Sequence, residues 1–429
     1  MTTWHIVPNT TGYLTYLFDS TGPYTYAIAS SGSTTTLLKI NQVTLATVSS
    51  TSFTSTLAIS QCLVQDVDYL YLGIYNGLDP SGPTPPDPNA QIIKVRKSDL
   101  AEIARTTFTS DSNETMCQLY VGRGWNSGTL WLLVGYWSSA GPPYFGNCHL
   151  LAFDATTLSQ TASVQLTYQS GYGDDPGTGQ LLLNAWEMAI DATGDIYLCG
   201  VVPTDNLFPA TLPPMYPTRI CKMTSSLSVS TLKDFPNSPD PDYVSGAYVI
   251  HYNMLLWDDT ENALTLLASY TDYPAPDTDT HFVKMDSAGT TLTTRTVSGG
   301  GTYGFANRAF LYSRPFVGNV ILHTDIASFA GQRSYFLVYD YAASTQQELW
   351  QINPADLSTI QTIPLPTGYA NSTAASPKVD SNGSLWTYSS SSTSSPASSL
   401  FVYGDNLQLP LDEKIFAYGM TAGLGRGWA

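Results

Sequence analysis

The chain has 429 residues, 43% of them hydrophobic and 12% aromatic, and its 17 Lys plus Arg against 34 Asp plus Glu give a formal charge of −17. So much apolar and aromatic material with only 12% charged residues excludes a disordered acidic chain and suffices for a large core. An acidic balance without a basic stripe excludes binding to nucleic acid or anionic membrane through phosphate charge, which needs clustered Lys and Arg.

In chain order, the opening Met1-Thr-Thr-Trp-His lacks a basic n-region and an apolar h-region, and nowhere do 18 consecutive apolar residues occur. The expectation is a soluble chain with no Sec-type address. Helical spacing is nearly absent, and Gly, Pro, Ser and Thr interrupt the chain throughout. Two signatures alternate instead. The first is a turn with Asp or Asn, then Gly or Asn, leading into an apolar or aromatic strand. It reads Asp19-Ser-Thr-Gly22-Pro-Tyr24, Asp66-Val-Asp-Tyr-Leu-Tyr71, Asn126-Ser-Gly128-Thr-Leu-Trp131 and Asp191-Ala-Thr-Gly194-Asp-Ile-Tyr197. It recurs as Asp259-Thr-Glu-Asn262, more loosely as Gly318-Asn-Val-Ile321, and as Asp380-Ser-Asn-Gly383-Ser-Leu-Trp386. Asp or Asn accepts the N–H groups of a tight turn, and Gly or Asn tolerates the positive φ that a hairpin requires.

The second signature is an apolar pair, a variable residue and another apolar residue, followed about five residues on by Leu. It reads Leu37-Leu-Lys-Ile40 with Leu45, Ile92-Ile-Lys-Val95 with Leu100, Leu150-Leu-Ala-Phe153 with Leu158 and Ile220-Cys-Lys-Met223 with Leu227. The remaining copies are Phe282-Val-Lys-Met285 with Leu292, Leu349-Trp-Gln-Ile352 with Leu357 and Leu400-Phe-Val-Tyr403 with Leu407. Seven copies of each, interleaved one for one, make seven two-hairpin units that cannot bury both faces alone. The expected fold is all-β, a seven-bladed β-propeller of four-stranded antiparallel blades. A β-sandwich is the alternative, but it does not require this alternation. The blades run roughly over 8–50, 56–106, 115–166, 182–234, 245–297, 306–365 and 372–412. Trp4 to Val7 is expected to close the last blade as its outermost strand, leaving 413–429 as a docking tail.

The hairpin Asp191-Ala-Thr-Gly194-Asp-Ile-Tyr197-Leu-Cys-Gly200 and the strand Leu151-Ala-Phe-Asp-Ala-Thr-Thr-Leu158 resemble the degenerate blades of NHL-like and YVTN-like propellers. The resemblance implies a fold, and neither the WD-repeat hallmark nor the sialidase Asp-box spacing is present. Composition and fold together also resemble propeller-type virion proteins of tailed bacteriophages, made in the host cytoplasm without a signal peptide. That implies a tail, fibre or decoration role and a virion location.

Long connections rich in Pro, Asp and aromatics fall between second and third strands and between blades, so one face of the ring is elaborated, and loops on a rigid scaffold carry binding. Tyr144, Phe145, Tyr172, Phe208, Tyr216, Tyr243, Tyr273 and Tyr303 are the expected contact residues for a host-surface glycan or protein. If the chain is an enzyme, Asp174, Asp175, Asp242 and Asp277 are the candidate carboxylates of a glycan hydrolase or lyase. A cellular interaction scaffold is the third reading. No HExxH, GxSxG or P-loop motif occurs, and His149 and His281 occupy equivalent blade positions, so neither metal nor cofactor is expected. The five cysteines form no CxxC pair and are expected to be buried, with Cys199 and Cys221 on adjacent strands. In the tail, Ile415, Phe416, Tyr418, Leu424 and Trp428 have no place in the blade pattern and are expected to dock on another virion subunit.

Overall fold

Runs of six to nine residues in which apolar side chains alternate with Ser, Thr and Tyr suit half-buried strands, and short turns between them favour antiparallel pairing. The computed structural model describes residues 4–7, 12–31, 34–54, 59–75, 89–109, 114–136, 148–167, 184–201, 218–235, 252–271, 278–299, 327–340, 347–364, 377–390 and 398–404. Their strands form seven four-stranded antiparallel sheets, the blades of a propeller ring.

Blade 1 comprises β2 (Gly12–Phe18), β3 (Tyr24–Ser31), β4 (Thr34–Asn41) and β5 (Thr47–Thr54). Blade 2 comprises β6 (Ile59–Gln65), β7 (Tyr69–Tyr75), β8 (Asn89–Arg96) and β9 (Glu102–Thr109). In blade 3 the strands are β10 (Glu114–Val121), β11 (Thr129–Tyr136), β12 (Cys148–Asp154) and β13 (Gln160–Thr167). Those of blade 4 are β14 (Asn184–Ile190), β15 (Ile196–Val201), β16 (Thr218–Met223) and β17 (Val229–Phe235). Blade 5 is built from β18 (Tyr252–Asp258), β19 (Ala263–Thr271), β20 (Thr278–Asp286) and β21 (Thr291–Gly299). Blade 6 follows with β22 (Ala327–Phe329), β23 (Gln332–Asp340), β24 (Gln347–Ile352) and β25 (Thr359–Pro364). Blade 7 holds β26 (Lys378–Val379), β27 (Leu385–Ser390) and β28 (Ser398–Tyr403), and its fourth strand is β1 (Trp4–Val7). β1 pairs antiparallel with β28, Trp4 opposite Tyr403 and Val7 opposite Leu400, so the two end segments of the described chain close the ring in one sheet.

The Leu of the second signature explains how blades interlock. Leu45, Leu100, Leu158, Leu227 and Leu357 all sit at φ of 57–63° in the turn between third and fourth strands. A left-handed β-carbon costs on the order of 1 kcal/mol, whereas burying a Leu side chain gains about 2 kcal/mol, so burial wins at Leu45, Leu100, Leu158 and Leu357, while Leu227 is exposed and lacks that gain. Leu45 packs with Trp386, Leu400 and Val402 of blade 7, Leu100 with Tyr26 and Ile28 of blade 1, and Leu158 with Tyr71 and Ile92 of blade 2. Each therefore plugs the core of the blade before its own.

Two sequence assignments are corrected. In blade 5 the positive φ of this turn belongs to Gly289, at 82°, and Leu292 is an exposed residue of β21. Leu292 falls at the register shift between Lys284 and Met285, and Val48 and Ile103 occupy the corresponding bulges of β5 and β9. A bulge adds one residue to an edge strand and turns it away from further pairing. In blade 6 the described inner hairpin turns at Ala330 and Gly331, with φ of 50° and 76°. Phe336 is a buried residue of β23. Residues 318–321, the expected turn, lie outside the described residues.

Cys199 and Cys221 do lie on neighbouring strands, but Cys221 is opposite Leu198 and Cys199 opposite Ile220. That one-residue offset sends them to opposite faces, Cys199 into the core shared with blade 5 and Cys221 into the core shared with blade 3. Neither forms a disulfide, nor do Cys62 and Cys148, and burial pushes the Cys62 thiol up to about 12.

Candidate functional site

All the expected contact aromatics, Tyr144, Phe145, Tyr172, Phe208, Tyr216, Tyr243, Tyr273 and Tyr303, lie outside the described residues. So do the carboxylates Asp174, Asp175, Asp242 and Asp277 and the tail residues Ile415, Phe416, Tyr418, Leu424 and Trp428. The described residues instead show the end of the ring formed by turns between first and second and between third and fourth strands. Its chemistry is built from three recurring positions.

The first is the turn Asp. Asp191 Oδ1 accepts the N–H groups of Thr193, Gly194 and Asp195 at 2.9 Å, and Oδ2 accepts the Tyr197 hydroxyl at 3.1 Å. Asp19 with Tyr26, Asp66 with Tyr71, and Asp380 with the Trp386 indole N–H repeat the arrangement, at 3.1, 2.6 and 2.7 Å. Ladder geometry explains the choice of residues. The ring always stands opposite the residue two before the Asp, as in the pairs Leu17–Tyr26, Val64–Tyr71, Ala189–Tyr197 and Lys378–Trp386. From there a Tyr or Trp has the length to reach the carboxylate. In blade 5 that place is taken by Thr265, opposite Leu256, and Asp258 Oδ2 is buried with no hydrogen-bond partner.

The second position is the Lys of the third strand. Lys94 donates to Ala155 O at 2.8 Å and Lys39 to Lys97 O at 3.1 Å, while Lys284 reaches Ala355 O at 3.1 Å. Each acceptor is a turn carbonyl of the following blade. The Tyr71 hydroxyl joins Lys94 on Ala155 O, 3.2 Å away. Within blade 5 Lys284 also pairs with Glu261, and Arg333 of blade 6 pairs with both Asp258 and Glu261. Between blades 7 and 1, Tyr16 donates to Trp386 O at 2.7 Å and Ser381 to Gln42 Oε1 at 3.1 Å.

The third element is peculiar to blade 3. Its first turn carries Gly122 where blades 1, 2, 4, 5 and 7 have Asp, and a 3-10 turn, Gly124–Asn126, fills the space. Trp125 N–H donates to Thr193 O at 2.9 Å and Asn126 Nδ2 to Gly194 O at 2.7 Å. Arg123 donates to Ile190 O and Asp191 O of blade 4 and pairs with Asp259 of blade 5 through both terminal nitrogens, at 2.7 Å. Trp257 Nε1 donates to the same carboxylate at 2.9 Å, and its ring stacks on Tyr197 with centroids 5.1 Å apart. Three blades are thereby tied through one guanidinium.

These contacts set the protonation of the face. Burial pushes the Asp19 carboxyl up, but the Thr21 N–H and the Lys97 ammonium outweigh it and hold the group below the ordinary value. Backbone N–H groups, that of Thr157 for Asp154 and that of Thr290 for Asp286, hold those two low. Burial raises Asp380, against the Ser384 N–H and the Trp386 indole that favour its charged form. Burial foremost raises Tyr26, Tyr71 and Tyr197, and the neighbouring Asp adds to it, so all three stay neutral hydroxyl donors. No cluster of three or more His, Cys, Asp or Glu suited to a metal occurs among the described residues.

The turn Asp and its ring partner were legible in sequence, whereas the role of the third-strand Lys was not. Its recurrence in Leu-Lys-Ile, Ile-Lys-Val, Cys-Lys-Met and Val-Lys-Met was the available signal.

No protein-family model and no curated protein matches the chain. Among solved structures it is similar to a polysaccharide lyase described as an ulvan lyase, at 9% identity and a TM-score of 0.50, covering 84% of this chain and 82% of that one. It also matches the Dos1 propeller at 10% identity and a TM-score of 0.47, covering 93% and 81%. A third match is the β-propeller domain of the Trilobed protease from Pyrococcus furiosus, at 9% identity and a TM-score of 0.45, covering 92% and 93%. The chain is a seven-bladed β-propeller. At such identities the likeness concerns the fold, and activities vary widely on one fold.

Proposed function

We propose that this propeller is a non-enzymatic structural or host-attachment protein of a virion, a tail, fibre or capsid-decoration component. The observation that carries this reading is the side-chain bonding of blades 1, 2, 3 and 5 onto the blade that follows. The buried Lys94 and Lys284, together with Lys39 and the Arg123 and Arg333 ion pairs, commit charge to holding the ring rigid. A rigid ring is what a surface scaffold requires to present loops, and the Lys-poor composition suits a protein working outside the cell. Contact with host glycan or protein is assigned to Tyr144, Phe145, Tyr172, Phe208, Tyr216, Tyr243, Tyr273 and Tyr303. Attachment to a neighbouring virion subunit is assigned to Ile415, Phe416, Tyr418, Leu424 and Trp428.

The test is incorporation. A variant lacking residues 414–429 should fold with an unchanged melting temperature and disappear from purified particles. Its full incorporation would refute the tail assignment, and absence of the intact protein from particles would refute the virion reading. Turnover of bacterial surface polysaccharides by the intact protein, abolished by Asp174→Asn, Asp175→Asn, Asp242→Asn or Asp277→Asn, would replace it with the glycan hydrolase or lyase reading.

A further inference from the structure

We propose that the turn end of blades 3 to 5 carries a binding subsite for an uncharged saccharide, with Trp125 as its stacking platform. The subsite lies at the opposite end of the strands from the loops invoked above and does not rest on the virion reading.

Among the tryptophans whose burial is described, Trp125 alone is exposed, at 37%. It is also held firmly. Its N–H is bonded to Thr193 O, its Nε1 donates to Asp195 Oδ1 at 3.2 Å, and its ring meets Trp131 edge-on with centroids 6.5 Å apart. The turn bearing it is locked onto blade 4 at two glycines. A β-carbon on Gly124 would lie 2.0 Å from Thr193 O, and one on Gly194 would lie 2.4 Å from Arg123 O. An indole fixed at the surface in one orientation binds a flat apolar ligand face without first losing side-chain freedom.

The groups around it define the ligand. Arg123 and Asp259 form a two-pronged pair, with side chains 40% and 53% exposed, and Asp195 is paired with Lys222 at 2.9 Å. Two cations balance two carboxylates, so the patch favours neither an anion nor a cation. It does offer planar hydrogen-bonding groups beside an aromatic face. Each ionised carboxylate has about four acceptor positions and so retains capacity for hydroxyl donors. A pyranose ring matches this surface, because its C–H face suits the electron-rich indole and its hydroxyls suit carboxylate and guanidinium. A purely apolar ligand would leave the ion pairs desolvated and unrewarded.

The test uses the full chain and a fixed set of probes, namely maltotetraose, cellotetraose and chitotetraose, with polygalacturonate as the charged comparator. Binding is measured by calorimetry and by displacement of the Trp125 indole N–H resonance. At least one neutral tetrasaccharide should bind and shift that resonance. Trp125→Ala should weaken binding about tenfold, the loss expected for one stacking contact. Trp125→Tyr, which keeps a platform, should stay within about threefold of the parent. The proposal is overturned if no neutral probe binds, if only polygalacturonate binds, or if binding leaves the indole resonance in place. The resonance is read on the unaltered protein, so a failure of Trp125→Ala to fold would not blunt the test.

Discussion

Gly194 and Gly383 occupy the same place in the turns of blades 4 and 7, and replacing each by Ala separates two costs that are usually confounded. Gly383 has a φ of 79° with no atom within 4 Å of a built β-carbon, so Gly383→Ala carries only the left-handed backbone cost, about 1 kcal/mol. Gly194 has a φ of 101°, and its β-carbon would meet Arg123 O at 2.4 Å and Trp125 N at 2.9 Å. Relief requires the blade 3 turn to withdraw. That breaks the bonds from Trp125 N to Thr193 O and from Asn126 Nδ2 to Gly194 O, worth about 1 kcal/mol each. With a backbone cost of about 1–2 kcal/mol, Gly194→Ala should destabilise by roughly 3–4 kcal/mol, two to three more than Gly383→Ala. Urea unfolding followed by tryptophan fluorescence reads the difference as a larger drop in midpoint for Gly194→Ala. Equal midpoints for the two variants would refute the claim that these blades meet backbone to backbone at this turn.

Three further outcomes are expected. Tyr71→Phe leaves Asp66 Oδ2 without its 2.6 Å donor and should cost about 1–3 kcal/mol in the same assay, and an unchanged midpoint would contradict that bond. Val7→Ala removes two methyl groups from a side chain 1% exposed in the core between blades 7 and 1, so it should cost about 1.6 kcal/mol, and no loss would mean that β1 does not close the ring. Asp154 and Asp286 have folded pKa values below their unfolded ones, so their contribution is present above about pH 4 and is lost as pH falls through the folded values. Asp286→Asn should therefore flatten the fall in urea midpoint below pH 4, and an unchanged acid limb would contradict the assignment.

The fold was legible because the two signatures have direct causes in turn geometry. Asp19, Asp66, Asp191 and Asp380 accept turn N–H groups as expected, and Gly194 and Gly383 have positive φ as expected. Periodicity in sequence fails where one residue type serves two positions. Leu292 was read with Leu45 and Leu100 as the Leu that follows the third-strand signature, yet it comes two residues later than they do and stands at an edge bulge, because Gly289 shortened the turn. The inner hairpin turn of blade 6 was placed too early for a related reason, since a two-residue turn at Ala330-Gly331 carries no Asp to mark it. The lock between blades was not legible at all. Arg123 and Asp259 are 136 positions apart, and their meeting depends on how three blades are set side by side.

The way β1 closes the ring has a mechanical consequence. Trp4, nearest the start of the chain, is paired with Tyr403, the last residue of β28, so both ends of the polypeptide leave the pair at the same side. A load applied between the chain ends opens Trp4 from Tyr403 first, then His5 from Val402, one rung at a time. The same strands loaded from opposite sides would resist in shear, with all four rungs bearing force together. Seen as a machine part, this closure is a clasp that unzips when pulled from the side where β1 begins and β28 ends.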